Sequence, residues 1–221
     1  MENSIIKLEK QFCDYNKAIP EELKSQYKSL LEIENVSLDS MVFSQAILLR
    51  LISYYSYQNE IKEFLGKRYV TAGADFFVEA VLFYLKFILE KFAPGLEVCS
   101  EKAIERKRGS IRPDISVWNG EEVVAIIECK TQLGWNRNKW EEDFIIRENK
   151  LKAVFPNAKA YLLVMSLANW PGFGDSPNIG SKYFALSKYW PGTLNEVERD
   201  AIETPIEILF KDIVSKNSSD Y

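Results

Sequence analysis

Histidine is absent from the 221 residues, and this gap removes more chemistry than any other feature of the composition. Ser-His-Asp and Cys-His catalysis, histidine as a general base and His-ligated zinc are all excluded. Hydrolysis by this chain must use carboxylates, lysine, tyrosine or metal-activated water. Cysteine is nearly as scarce. Cys13, Cys99 and Cys129 are too few and too scattered for a disulfide framework or a clustered zinc site, and read as reduced thiols. No run reaches the ~18 apolar residues of a membrane span. The opening MENSIIKLEKQF mixes charge with apolar residues, whereas a signal peptide needs a basic stretch and then an apolar one. The expectation is a cytoplasmic protein with no membrane partner.

At 47% hydrophobic and 27% charged residues, the chain has the balance of an ordinary globular protein with one main core. Its net charge of −4 argues mildly against a basic nucleic-acid-binding face, but two local stretches run the other way. Lys102, Arg106, Lys107, Arg108 and Arg112 outnumber Glu101 and Glu105, and residues 130–139 hold Lys130, Arg137 and Lys139 with no acid. Taken alone, these stretches are as consistent with solvated loops as with a binding surface.

The first ninety residues read as helical. Residues 4–15 and 20–33 form two short amphipathic runs, with Pro20 at the first position of the second. Ser37 or Asp39 can cap a longer helix through Leu65, which carries Met41, Phe43, Ile47, Leu48, Leu51 and Ile52 inward, and Gly66 stops it. Residues 74–92 are apolar nearly all round, as in a buried helix. Short strands follow at 96–104, 111–118 and 122–130, the last two joined by the turn signal Asn119-Gly120. Next come a helix at 138–155, a strand at 158–166, a Pro/Gly/aromatic loop, a short strand at 183–186 and a helix at 205–215. Trp-Pro-Gly occurs at 170–172 and 190–192, where turn chemistry explains both copies. This order predicts an α/β (α+β) fold. It divides into an N-terminal helical region, 1–70, serving dimerisation or recognition, a core over 71–215 and a loose tail, 216–221.

The chemistry concentrates where the second and third strands meet. Period-two alternation along VVAIIECK puts Val124, Ile126, Glu128 and Lys130 on one face, and Val123, Ala125, Ile127 and Cys129 on the other. Both faces stay apolar until the last three residues, which marks a doubly covered central strand. A carboxylate and an ammonium emerging from such a strand are costly to bury unless they serve each other or a ligand. Asp114, directly after Pro113, begins the neighbouring strand and can approach Glu128 across the hairpin. Two carboxylates held close repel, and a Mg²⁺ ion is the usual means of keeping both ionised.

Pro113-Asp114, thirteen intervening residues and Glu128-Cys129-Lys130 resemble the motif of PD-(D/E)XK, restriction-endonuclease-like nucleases. The family core, αβββαβ with a mixed central sheet flanked by helices, matches the order of elements anticipated over residues 74–166. The resemblance implies a Mg²⁺-dependent endonuclease acting on DNA, with Mn²⁺ able to substitute, such as a type II restriction or defence enzyme. The alternatives are an RNA or structure-specific nuclease and a catalytically silent nucleic-acid-binding module. It also implies that Asp114, Glu128 and the Cys129 carbonyl bind metal while Lys130 stabilises charge on the phosphate. Glu79, on the preceding helix among Phe76, Leu82 and Phe83, is the expected additional catalytic and metal-binding acid. Lys107, Arg108, Arg112, Gln132, Arg137 and Lys139 flank the motif as nucleic-acid contacts. Trp135 could stack on bases, whereas Trp140 reads as a core residue of the following helix. A homodimer is compatible with the N-terminal helices.

The motif sets a condition on the hairpin. A two-residue Asn119-Gly120 loop would pair Asp114 with Ala125 and send Asp114 to the face opposite Glu128. A shared metal therefore requires an odd-numbered connection with a bulge at Gly120, bringing Asp114 near Val124 or Ile126.

Overall fold

A computed structural model of the chain describes residues 4–131, 139–170 and 172–215. The chain divides into two compact units, Met1–Ser37 and Leu38–Tyr221.

The first unit is dominated by one helix, α1 (Ser4–Leu31), which runs through Pro20 and buries none of its residues. Two helices were expected here. Neither run contains a glycine or a second proline, so the helix continues across Pro20 at the loss of one backbone hydrogen bond, to the Asn16 carbonyl.

The second unit begins well before residue 70, because α2 (Val42–Leu65) belongs to its core. Phe43, Ile47, Leu48, Leu51 and Ile52 of α2 are buried. The Phe43 ring lies 6.0 Å from Phe87 of α3 (Ala74–Phe92) and 6.5 Å from Phe210 of α5 (Ile206–Ser215). At its C-terminus α2 stops at Gly66, whose φ of 63° is the left-handed conformation that glycine adopts without strain, and Lys67 N–H closes onto the Lys62 carbonyl. Neither Ser37 nor Asp39 caps the other end; Asp39 pairs with Lys211 instead. The cap comes from α5: Glu207 accepts the N–H groups of Phe43 at 2.7 Å and Ser44 at 3.0 Å, together with the Ser44 hydroxyl. Ser44 Oγ in turn accepts Ile206 N–H at 2.8 Å. Each helix thus satisfies donors that the other leaves open at its start.

Five strands form one sheet in sequential order: β1 (Glu97–Ser100), β2 (Ile115–Asn119), β3 (Glu122–Lys130), β4 (Lys159–Ser166) and β5 (Tyr183–Ser187). The pairs β1·β2 and β2·β3 are antiparallel, whereas β3·β4 and β4·β5 are parallel. With α4 (Trp140–Lys152) crossing between β3 and β4, the order from α3 to β4 is αβββαβ. Trp118, Val123, Ile126, Leu162, Val164 and Tyr183 share one core with Phe144 and Leu151 of α4. On the other face the Tyr161 hydroxyl reaches Asp212 of α5 at 2.5 Å, and α2, α3 and α5 cover the sheet. Of the two Trp-Pro-Gly tryptophans, Trp170 is buried in the α4-side core, and Trp190 packs 4.9 Å from Tyr55.

The β2–β3 hairpin contains a bulge, though not where the sequence put it. Asn119 pairs with Glu122 across a two-residue Gly120-Glu121 turn, with Gly120 at φ 58°. Trp118 pairs with Val123, but Val117 pairs with Ala125, so Val124 has no partner on β2. The extra residue shifts the alternation, and Val123 therefore lies in the same core as Ile126 rather than opposite it.

Candidate active site

The pairing of Ile115 with Ile127, extended by one residue, sets Asp114 opposite Glu128 instead of near Val124 or Ile126. Asp114 and Glu128 consequently share the face that carries Ile126, beneath α4. Lys130 Nζ donates to Asp114 Oδ2 at 2.7 Å and to Glu128 Oε2 at 3.3 Å, so one ammonium bridges the two carboxylates. Asp114 Oδ2 also accepts Cys129 N–H at 2.8 Å, which fixes the Asp114 side chain to the backbone between Glu128 and Lys130. The Asp114 carbonyl accepts from Ser100 Oγ at 2.9 Å, tying the same residue to β1.

Glu128 is 1% exposed, and its second oxygen accepts Arg147 Nε at 2.5 Å. Arg147 Nη2 donates to the Arg112 carbonyl at 2.7 Å. Two acids thus face two cations, and the cluster is neutral as it stands. Burial pushes the Glu128 carboxyl above its ordinary pKa, against the opposing pull of Arg147 and Lys130. For Lys130 burial acts downward, but Asp114 and Glu128 outweigh it and hold the ammonium above its ordinary pKa. The Cys129 thiol, buried on the opposite face of β3, is pushed well above its usual range by desolvation.

Arg147 was not singled out in the sequence, although a signal for it existed. Trp140, Phe144, Arg147 and Leu151 recur at helical spacing along the inward face of α4, and a cation on that face needs an acid to meet.

The expected role of Glu79 is not supported. The buried stripe of α3 is Phe77, Ala80, Val81, Tyr84, Leu85 and Ile88, and Glu79 falls on the exposed stripe with Asp75, Lys86 and Glu90. Phe76 and Leu82, thought to set Glu79 on an apolar face, are only half-buried. Moreover, α3 lies on the side of the sheet away from α4, whereas the Glu128 carboxyl is on the α4 side. Among the described residues, no three acidic or cysteine side chains converge on a point that could hold a metal ion.

Lys107, Arg108, Arg112 and Lys139 are all exposed. Lys107 pairs with Glu105 at 2.7 Å, and Lys102 lies 3.9 Å over the Trp118 ring. Arg112 immediately precedes Pro113-Asp114, and its carbonyl accepts the guanidinium that also holds Glu128. Trp140 packs 4.8 Å from Phe173 and 5.1 Å from Tyr183, as a core residue does. Gln132, Trp135 and Arg137 lie outside the described residues.

The donor chemistry suits a hard divalent cation, with two carboxylates side by side and the Cys129 carbonyl next to Glu128 in sequence. Lys130 and Arg147 already supply positive charge to those oxygens, so a cation would bind in competition with them. No protein-family model matches this chain, and no curated protein matches its sequence.

Proposed function

We propose that this chain is a divalent-metal-dependent endonuclease of the PD-(D/E)XK type that hydrolyses phosphodiester bonds of DNA, in the manner of a restriction or defence enzyme. The observation that carries this reading is the meeting of Asp114, Glu128 and Lys130 on one face of the sheet. That meeting depends on the bulge at Val124, without which Asp114 would pair with Ile127 on the opposite face. The αβββαβ order around the three residues supports the same reading.

In this reading Asp114, Glu128 and the Cys129 carbonyl hold Mg²⁺, or Mn²⁺ in its place. When bound, the ion supplies Lewis-acid activation of water beside the phosphate. Lys130 turns its ammonium from the carboxylates toward the phosphoryl oxygens and stabilises the charge that develops there. Arg147 keeps the Glu128 carboxyl ionised and aimed along the sheet. Lys107, Arg108, Arg112 and Lys139, all exposed, take the phosphates on either side, contacts that position the backbone without reading its bases.

The deciding experiment incubates supercoiled plasmid and a structured RNA with the wild-type chain and with Asp114→Asn, in Mg²⁺ and in EDTA. Cleavage of plasmid in Mg²⁺ alone, lost in Asp114→Asn, is the expected result. Preferential cleavage of the RNA moves the substrate class but keeps the site. If wild type binds nucleic acid without cutting either substrate, the cluster is an ion-pair network in a silent binding module.

A further inference from the structure

The strongest feature outside the candidate site is the surface of α1. Its first half ends at Pro20, sixteen residues after Ser4, a length at which an isolated helix is marginal in water. A proline interrupts the backbone bonding that would extend it. Such a helix needs a packed apolar face, yet α1 buries no residue. Leu8, Phe12, Tyr15 and Ile19 are 61–74% exposed, and Ile5 ahead of them is 72% exposed.

The spacing of these five residues is three, four, three, four. That is the 3.5-residue repeat which lets two helices keep one seam in contact, and it is self-complementary, because a second copy presents the same knobs and holes. The residues bordering the seam fit a like partner. They are Glu9, Gln11, Asn16 and Ala18, a single charge in four positions, so two identical seams meet without a row of like charges. The charges of this half, Lys7, Lys10, Asp14 and Lys17, lie on the outward side, where Lys17 and Asp14 pair with each other at 2.8 Å.

We propose that the N-terminal half of α1 is a homodimerisation helix, and that its occupant is the same helix of a second copy of this chain. Two copies bring Leu8, Phe12, Tyr15 and Ile19 against their counterparts across a two-stranded seam. Pro20 sets its end, because beyond it the apolar positions drift to Leu23, Tyr27 and Leu30. The proposal does not depend on the nuclease reading, and sedimentation tests it without any cleavage assay.

The test is sedimentation velocity of the full chain at micromolar concentration, for wild type and for Phe12→Glu, Leu8→Glu and Phe64→Glu. Phe64 is 88% exposed on α2 and provides a second apolar surface outside the seam. Wild type is expected at twice the 25.5 kDa chain mass, with Phe64→Glu unchanged. Phe12→Glu and Leu8→Glu should each weaken the dimer by ~100-fold or more, as charges forced into the centre of an apolar seam do. Both substituted positions are exposed, so the thermal melt of the second unit should not move. Wild type sedimenting at the mass of a single chain overturns the proposal. So does a dimer that survives Phe12→Glu, or one that Phe64→Glu dissociates in its stead.

Discussion

Arg147 on α4 and Glu128 on β3 are joined at 2.5 Å, and the same guanidinium reaches the carbonyl of Arg112 at 2.7 Å. One side chain therefore connects the crossover helix, the central strand and the segment that delivers Asp114. A guanidinium suits this role, since its donors diverge at fixed angles and its charge does not titrate.

Replacing it exposes what it does. Arg147→Met leaves Glu128 buried with Lys130 as its one remaining cation. Stability in EDTA should fall by about 2 kcal/mol, between the values for exposed and fully buried ion pairs. Mg²⁺ should restore part of that loss, because it replaces one positive charge at Glu128 with another. Urea denaturation with and without Mg²⁺ measures both. An equal loss in the two conditions would assign Arg147 to packing alone.

Lys130→Met separates binding from chemistry. The two carboxylates and the exposed cations remain, so DNA affinity in Ca²⁺ should weaken by about the value of one phosphate contact. Cleavage in Mg²⁺ should fall by ~100-fold or more, as expected on losing one preorganised charge-stabilising group. A gel-shift titration beside a cleavage time course makes the comparison. Cleavage at an unaltered rate would confine Lys130 to a structural part.

The raised pKa of Glu128 sets a pH dependence. An acid whose folded-state pKa is raised favours folding in its protonated form; that contribution is fully present below the ordinary 4.5 and is lost as pH rises through the raised value. Metal binding needs the other form, the carboxylate. The stabilisation by Mg²⁺, read as a rise in melting temperature, should therefore shrink as pH falls from neutral, and should begin to do so above 4.5. Glu128→Gln should show little Mg²⁺ stabilisation at any pH. If the stabilisation of wild type stays constant down to that pH, Glu128 is not a ligand.

Glu207→Ala tests the reciprocal cap. Two α2 N–H groups and the Ser44 hydroxyl lose their acceptor in a buried setting, which should cost about 2–4 kcal/mol. The urea midpoint is the measurement. A change under about 0.5 kcal/mol would mean that water replaces the carboxylate at the start of α2.

The thiols should differ sharply. Cys13 is exposed and Cys129 is buried, with desolvation keeping Cys129 protonated well beyond neutral pH. Titration with a thiol-reactive chromophore should label Cys13 at once and Cys129 only after denaturant is added. Rapid labelling of Cys129 in the native protein would contradict the burial of β3.

Much of the fold was legible from local signals. The apolar run of α3 matched its element end to end, Gly66 stopped α2, and VVAIIECK marked the central strand because its neighbours in sequence are turn residues. Two of the failures, the α2 cap and Arg147, share one cause, the dependence of a local outcome on a distant residue. The cap of α2 comes from Glu207, 164 positions from Phe43, so a search near Ser37 could not find it. Glu79 was judged by apolar neighbours on a helix that is apolar nearly all round, where one acid can fall on the solvent stripe. Asp114, Glu128 and Lys130 were found because the motif is compact. Arg147 was missed because its meaning depends on which face of α4 turns toward β3. That the hairpin needs a bulge followed from the site, but its position at Val124 reflects packing, since the shift returns Val123 to the core beside Trp118 and Ile126.

The unpaired Val124 makes the distance between Asp114 and Glu128 a matter of odd and even. Deleting that single valine would leave every other hydrophobic residue of β3 present, yet it would turn Trp118 and Val123 out of step with Ile126 and Glu128. Lengthening the Gly120-Glu121 turn by one residue has no such effect while Asn119 still pairs with Glu122, because the added residue stays in the loop. The strand is therefore sensitive to a change in length that the turn beside it absorbs.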